Sequence, residues 1–215
     1  MSRLIPALAA LAALVAAPGC VSLLPEAEPT TLYRLDTAVT DAAPARAGED
    51  IPVLIDRIAA PRGLAGDRIA IQRGDAIAYM AGARWIGPAP QLVESAVLDG
   101  FHATAPLIGP AKAEDGVDAR YELALELRRF EAVYDQGEGA APTVRAALRA
   151  RLIDRDTRAL VAAGTIEESL RAAENRQGAI VAAFSQVTDS VARELADWTQ
   201  TEICASDGAP EACGG

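Results

Sequence analysis

The chain has a single histidine, His102, among its 215 residues. One imidazole with no cysteine or carboxylate cluster beside it in sequence does not compose a metal site. As a general base it would need a serine or cysteine nucleophile in a recognisable setting, and no Gly-x-Ser-x-Gly element occurs. The glycines of Gly63-Leu64-Ala65-Gly66 have neither the spacing nor the lysine of a phosphate-cradling loop. The expectation is therefore a protein that is not an enzyme and needs no cofactor. Positive charge is also short: 20 Lys and Arg stand against 30 Asp and Glu, a formal net charge of −10. Nucleic acid is excluded as a partner, because binding it requires a concentrated basic face. An acidic body likewise gains nothing overall from anionic headgroups. After the first twenty residues no apolar run is long enough to span a bilayer.

Cysteine is scarce too, and its three positions are informative. Arg3 is followed by an apolar run from Leu4 to Ala17, and small residues then lead into Ala17-Pro18-Gly19-Cys20. That is the layout of an export signal. The cysteine makes it a candidate lipoprotein signal over 1–19, with Cys20 as the new N-terminus bearing acyl chains such as palmitate. Ordinary cleavage near Ala16 or Ala17 is the alternative, since Pro18 brings a fixed φ into the cleavage box. Several acyl chains on one cysteine meet the usual need for two attachment signals. Cys204 and Cys213 remain near the C-terminus of a chain bound for an oxidising compartment, within a tail over 204–215. They are expected to form a disulfide around Gly208-Ala209-Pro210, the alternative being two free thiols on a tail.

Between anchor and tail, residues 20–31 read as a tether with two prolines and two acids, and 32–203 as one folded body. Thr31 to Leu35 and Pro52 to Ile58 read as strands. Ile69 and Ile71 alternate with polar neighbours, Gly74-Asp75 makes a turn, and Ile77 and Tyr79 resume the alternation, so a hairpin is expected. Gly87 and the prolines after it open a helix whose apolar face is Leu92, Val93, Ala96, Val97, Gly100 and Phe101. Tyr121 to Tyr134 fits both periods; it is read as a strand with a bulge between Leu127 and Phe130. Val144 to Leu152 and Leu160 to Ile166 form a second hairpin around Asp154 to Arg158. Ile180, Phe184, Val187, Val191, Leu195 and Trp198 make a long amphipathic helix.

The fold class is α/β: a single domain with a mixed, mostly antiparallel sheet of about five or six strands, packed by helices near 90–102 and 178–202. Glu122 and Glu126 are expected on a solvated sheet face, pairing across strands with Arg145, Arg149 or Arg151. The functional alternative is that this arginine-bearing face meets lipid phosphates or a partner protein. Trp85, Tyr79 and Arg73 are candidate core or partner-contact residues, with the core preferred because an indole at a strand-to-helix junction is usually a plug.

The order of these segments resembles the auxiliary lipoproteins of ABC-type transport systems, which accompany MCE-domain lipid transporters. Carrying the resemblance are Tyr33-Arg34-Leu35, Pro52-Val53-Leu54-Ile55, Asp67-Arg68 running into Ile69-Ala70-Ile71-Gln72-Arg73, then Tyr79 ahead of Arg84-Trp85, and Tyr121-Glu122-Leu123 through Phe130. Where the family often has an aromatic before Asp-Arg, Gly63-Leu64-Ala65-Gly66 stands instead. The resemblance implies a lipid-anchored periplasmic domain that works with an MCE-domain protein and ABC transporter components in moving phospholipid. Homo-oligomerisation is open. Val21, not aspartate, follows Cys20, which favours the outer membrane of a Gram-negative envelope. The rival reading is a structural or regulatory envelope lipoprotein that binds another protein, such as a cell-wall synthesis enzyme.

Overall fold

A computed structural model describes residues 29–37, 51–206 and 213. The expected leader, Cys20 and nearly all of the tether lie outside them. The chain order is β1 (Thr31–Tyr33), β2 (Ile51–Ile55), β3 (Arg68–Arg73), β4 (Ala76–Trp85), α1 (Ala89–Thr104), β5 (Ile108–Ala111), a 3₁₀ turn (Ala113–Asp115), β6 (Tyr121–Val133), β7 (Thr143–Asp154), β8 (Ala159–Arg171) and α2 (Gln177–Ala205).

Among the described residues all strands belong to one mixed sheet of eight strands, more than the five or six expected. β5 is the strand that sequence reading omitted. Its four residues, Ile-Gly-Pro-Ala, show no alternation, and Pro110 is tolerated because the strand lies at an edge, paired only with β2. The 13-residue β6 is the axis. One side of it pairs antiparallel with β7, which pairs antiparallel with β8. The other side is shared by two short strands, β2 against Val53↔Tyr121 and β3 against Gln72↔Val133, both parallel to β6. From there β5 extends beyond β2, while β4 and then β1 extend beyond β3. The antiparallel pairings carry most of the ladder.

The alternation along β6 and β7 sorts their two faces as expected. Leu123, Leu125, Leu127 and Phe130 are buried, as are Val144, Ala146, Leu148, Ala150 and Leu152 of β7. The register shifts between Leu127 and Arg129, so Arg128 is the extra residue that restores the apolar phase at Phe130. Both helices cover this buried face. Pro88 and Pro90 start α1, where a missing N–H costs nothing. Thr188 and Thr199, buried in α2, donate their hydroxyls to the carbonyls of Phe184 and Leu195, each at 2.7 Å, so neither is left unsatisfied.

The two helices meet at Gly100. A Cβ added there would stand 2.7 Å from the Ala192 carbonyl carbon and 2.8 Å from its oxygen. The glycine in the apolar stripe of α1 is thus the point of close approach to α2. Gly164 plays a milder part on β8, where an added Cβ would meet the indole of Trp198 at 3.7 Å. Cys204, in the last turn of α2, is disulfide-bonded to Cys213 with a Cα–Cα separation of 5.5 Å.

Candidate functional site

Trp85 ends β4 and is 1% exposed. Its ring lies 5.7 Å from Phe130 of β6 and 5.2 Å, edge to face, from Phe184 of α2. Phe130 and Phe184 in turn lie 4.8 Å apart. Three elements distant in sequence are locked through one aromatic cluster, so Trp85 is a core residue. Its two companions differ. Tyr79 is half-buried, and Arg73, for which a core role was preferred, is exposed. A guanidinium at the end of a strand beside the Gly74 turn has no apolar layer to enter. It pairs with Glu138 at 3.3 Å and lies over the Tyr134 ring at 5.7 Å.

The residues flanking Trp85 form a surface cluster around the β2–β3 loop. Arg84 donates to the Asp67 carboxylate at 2.9 Å. Arg68 stacks its guanidinium 3.6 Å above the Tyr79 ring, and the Tyr79 hydroxyl donates to the Gly63 carbonyl at 3.2 Å. The loop is also held from within: Trp85 N–H donates to Asp67 at 2.7 Å, Ala89 N–H to Gly66 at 2.9 Å, and Leu64 packs against the core. Each side chain here is engaged with a neighbour. The cluster can shape and stiffen a loop; it offers no free nucleophile or base. His102 is exposed in the last turn of α1. Among the described residues, no three histidine, cysteine, aspartate or glutamate side chains gather.

Beside that loop a groove of about 650 Å³ runs between Arg57, Pro88, Gln91, Glu94, Lys112 and Glu114. Lys112 bonds Glu94 at 2.7 Å across it, and this carboxylate pushes the ammonium pKa up against the opposing effect of burial. At the far end of the sheet Asp154 accepts from Thr157 N–H at 2.9 Å and from Arg120 at 2.9 Å. These two bonds, the backbone one foremost, lower its pKa to about 2.

The sheet face away from the helices carries the expected charges, but with different partners. The register sets Glu126 opposite Arg149, yet the Glu126 carboxylate is held by Arg128 of the bulge at 2.6 Å. Glu122 faces Arg155 at 3.7 Å, not Arg145, Arg149 or Arg151. Glu131 and Glu167 both lie near Arg129, at 3.9 and 3.8 Å. Glu131 is 6% exposed, and burial raises its pKa despite the bond from Phe130 N–H. The bulge supplies an arginine on the same strand, and a neighbour on the strand outcompetes a long reach across the ladder. Sequence spacing located the charged face but not its ion-pair partners. The groove at Arg57 and Lys112 had no sequence signal, because its walls come from three separate segments.

A family model described as ABC-type transport auxiliary lipoprotein component matches residues 33–196. The crystal structure of protein XCC0632 from Xanthomonas campestris is similar, with a TM-score of 0.68 and 26% identity over 80% of this chain and 96% of that one. The structure of CT253 from Chlamydia trachomatis shares the fold, with a TM-score of 0.51 at 12% identity, over 73% of this chain and 99% of that one. The uncharacterized protein bll6063 of Bradyrhizobium diazoefficiens is 31% identical over 115 residues, 54% of this chain. The match spans 30% of that relative's length.

Proposed function

Because this chain belongs to the ABC-type transport auxiliary lipoprotein component family, we propose that it is a non-enzymatic adaptor in lipid transport. It is anchored through Cys20 and works with an MCE-domain protein and an ABC transporter to move phospholipid between membranes. The observation that carries the reading is the family match over nearly the whole folded body, behind an apolar N-terminal run that leads into Cys20. Three features support it. Among the described residues no helix is long and apolar enough to cross a membrane, which is compatible with attachment through Cys20. The polar residues that flank Trp85 are committed to holding a loop, as in a rigid binding module and unlike a reacting centre. The ten tether residues between Cys20 and β1 would reach about 33 Å if extended, at roughly 3.3 Å per residue, so the body can dock on a partner close to its membrane.

Val21 after the anchor favours the outer membrane, with the body in the periplasm. The test is Cys20→Ala in the native host. The variant is expected to leave the membrane fraction for the soluble periplasmic one and to fail to complement loss of the gene. A variant that stays with membranes and complements fully overturns the anchor reading.

A further inference from the structure

The outer face of the sheet holds more arginine than its acids neutralise. Along β7, Arg145, Ala147, Arg149, Arg151 and Ile153 point away from the helices, since their alternates Val144 to Leu152 are buried. The four glutamates of this face are engaged with other cations: Glu126 with Arg128, Glu122 with Arg155, and both Glu131 and Glu167 with Arg129. Arg145 stands opposite Glu131, whose carboxylate it also favours. Arg149 and Arg151 are exposed, and among the described residues no carboxylate lies within ion-pairing distance of either. In a chain of net charge −10, two adjacent uncompensated guanidiniums on one face are a local inversion of the protein's sign.

Their surroundings are shaped for a small group. Two residues apart on one strand, the side chains start about 6.7 Å apart on the same face. Arg151 is flanked across both ladders by alanines, Ala124 on β6 and Ala163 on β8. On the Ala124 side lies a recess of about 230 Å³ bounded by Ala59, Ala124, Leu125, Glu126, Arg149 and Arg151. That is below the roughly 300–1,000 Å³ of sites that enclose drug-sized ligands, so acyl chains have no place in it. A compact anion with a small substituent does. Guanidinium forks match phosphate oxygens in bidentate fashion, and Glu126 at the rim can accept a hydrogen bond from a hydroxyl or amine on the substituent.

We propose that Arg149 and Arg151, with Glu126 at the rim, form a binding site for the phosphodiester headgroup of a glycerophospholipid. The choice of a lipid headgroup as the source of the phosphate rests on the transport reading above; the anion site itself rests on the geometry. The site holds the headgroup on the sheet while the acyl chains remain outside the domain, in a membrane or in a partner. An acidic segment of a partner protein is the competing occupant, and it needs no recess.

The test uses the full chain in maltoside micelles, with native mass spectrometry to count retained ligand. The probes are dihexanoyl phosphatidylglycerol, inorganic phosphate and a hexaglutamate peptide. Wild type is expected to retain one phosphatidylglycerol, more strongly than either other probe and less strongly as salt rises. R149Q/R151Q is expected to weaken retention at least tenfold with an unchanged near-UV spectrum. R149K/R151K, which keeps charge but loses the forks, should fall between. Equal retention by wild type and R149Q/R151Q, or none by wild type, overturns the site. Preferred retention of inorganic phosphate or of hexaglutamate overturns the lipid assignment. A failed titration in a chain that still co-purifies with an MCE-domain protein removes the headgroup site and leaves the transport reading standing.

Discussion

Gly100→Ala tests the packing of the two helices at one atom. In an isolated helix the substitution is favourable by about 1 kcal/mol, because glycine loses more backbone entropy than alanine. Here the new Cβ would lie 2.7 Å from the carbonyl carbon of Ala192, 2.8 Å from its oxygen and 2.9 Å from its Cβ. Carbon atoms prefer about 3.5–4.0 Å, so the helices must separate by roughly 1 Å along the contact. Two of the three atoms met are backbone, and no rotamer change relieves them. Overpacking of this kind costs about 1–3 kcal/mol, occasionally more. The methyl is rigid and meets backbone, which puts the cost at the upper end. Set against the propensity gain, it leaves a net loss of about 1–2 kcal/mol. For a body of this size that is a fall in Tm of about 2–8 °C. Urea unfolding followed by circular dichroism reads the same change as a lower midpoint at constant slope. Gly66→Ala is the control: nothing lies within 4 Å of its added Cβ, and its effect should be neutral or slightly stabilising. If Gly100→Ala proves as stable as wild type, the close crossing of α1 and α2 is wrong and the reasoning fails with it.

Trp85→Ala removes the ring that joins Phe130 and Phe184, and should cost about 3–5 kcal/mol; a midpoint within error of wild type would refute the plug role. Asp154 has a folded-state pKa of about 2, below its ordinary 3.8. Its stabilising contribution is therefore complete above the unfolded value and is lost as pH falls from about 4 through about 2. Unfolding midpoints measured across that window should fall less steeply in Asp154→Asn than in wild type. Burial raises the Glu131 pKa, so ionising it opposes folding as pH rises through its unfolded value and beyond. Glu131→Gln should gain relative stability at pH 8 compared with pH 4, read by thermal unfolding at both values. Replacing both Cys204 and Cys213 by serine should cost at most about 2–3 kcal/mol. Hydrogen exchange is expected to place that loss in the last turns of α2, since the bond ties the tail to that helix end.

Much of this architecture was legible in the chain because binary patterning reports burial directly. The alternation of Tyr121 to Leu127 and of Val144 to Leu152 specified which face meets the helices, and the phase slip before Phe130 announced the bulge at Arg128. Gly100 stood in the apolar stripe of α1 where the helix crossing occurs. β5 was illegible because an edge strand of Ile-Gly-Pro-Ala owes its state to β2, not to its own sequence. The site was legible in part. Composition suggested an acidic body with nothing to offer an anion, and net charge is an average that conceals a face. Only the structure shows that Arg128 of the bulge takes Glu126 and that Arg155 takes Glu122, leaving Arg149 and Arg151 without a carboxylate partner among the described residues. Trp85 was placed correctly by chemistry, since a large indole beside a strand end has more to gain from the core than from solvent. Arg73 went the other way because its position at the Gly74 turn offers no interior.

An anchored domain that serves a lipid transporter should be recovered together with the transporter's other parts. Affinity-tagged full-length chain, purified in mild detergent from its native membranes and analysed by mass spectrometry, tests it most directly. The expected result is recovery of an MCE-domain protein together with ABC transporter subunits, and loss of that recovery when Cys20 is replaced by Ala. Recovery of a cell-wall synthase in their place, with no change in membrane lipid distribution on deletion of the gene, would contradict it.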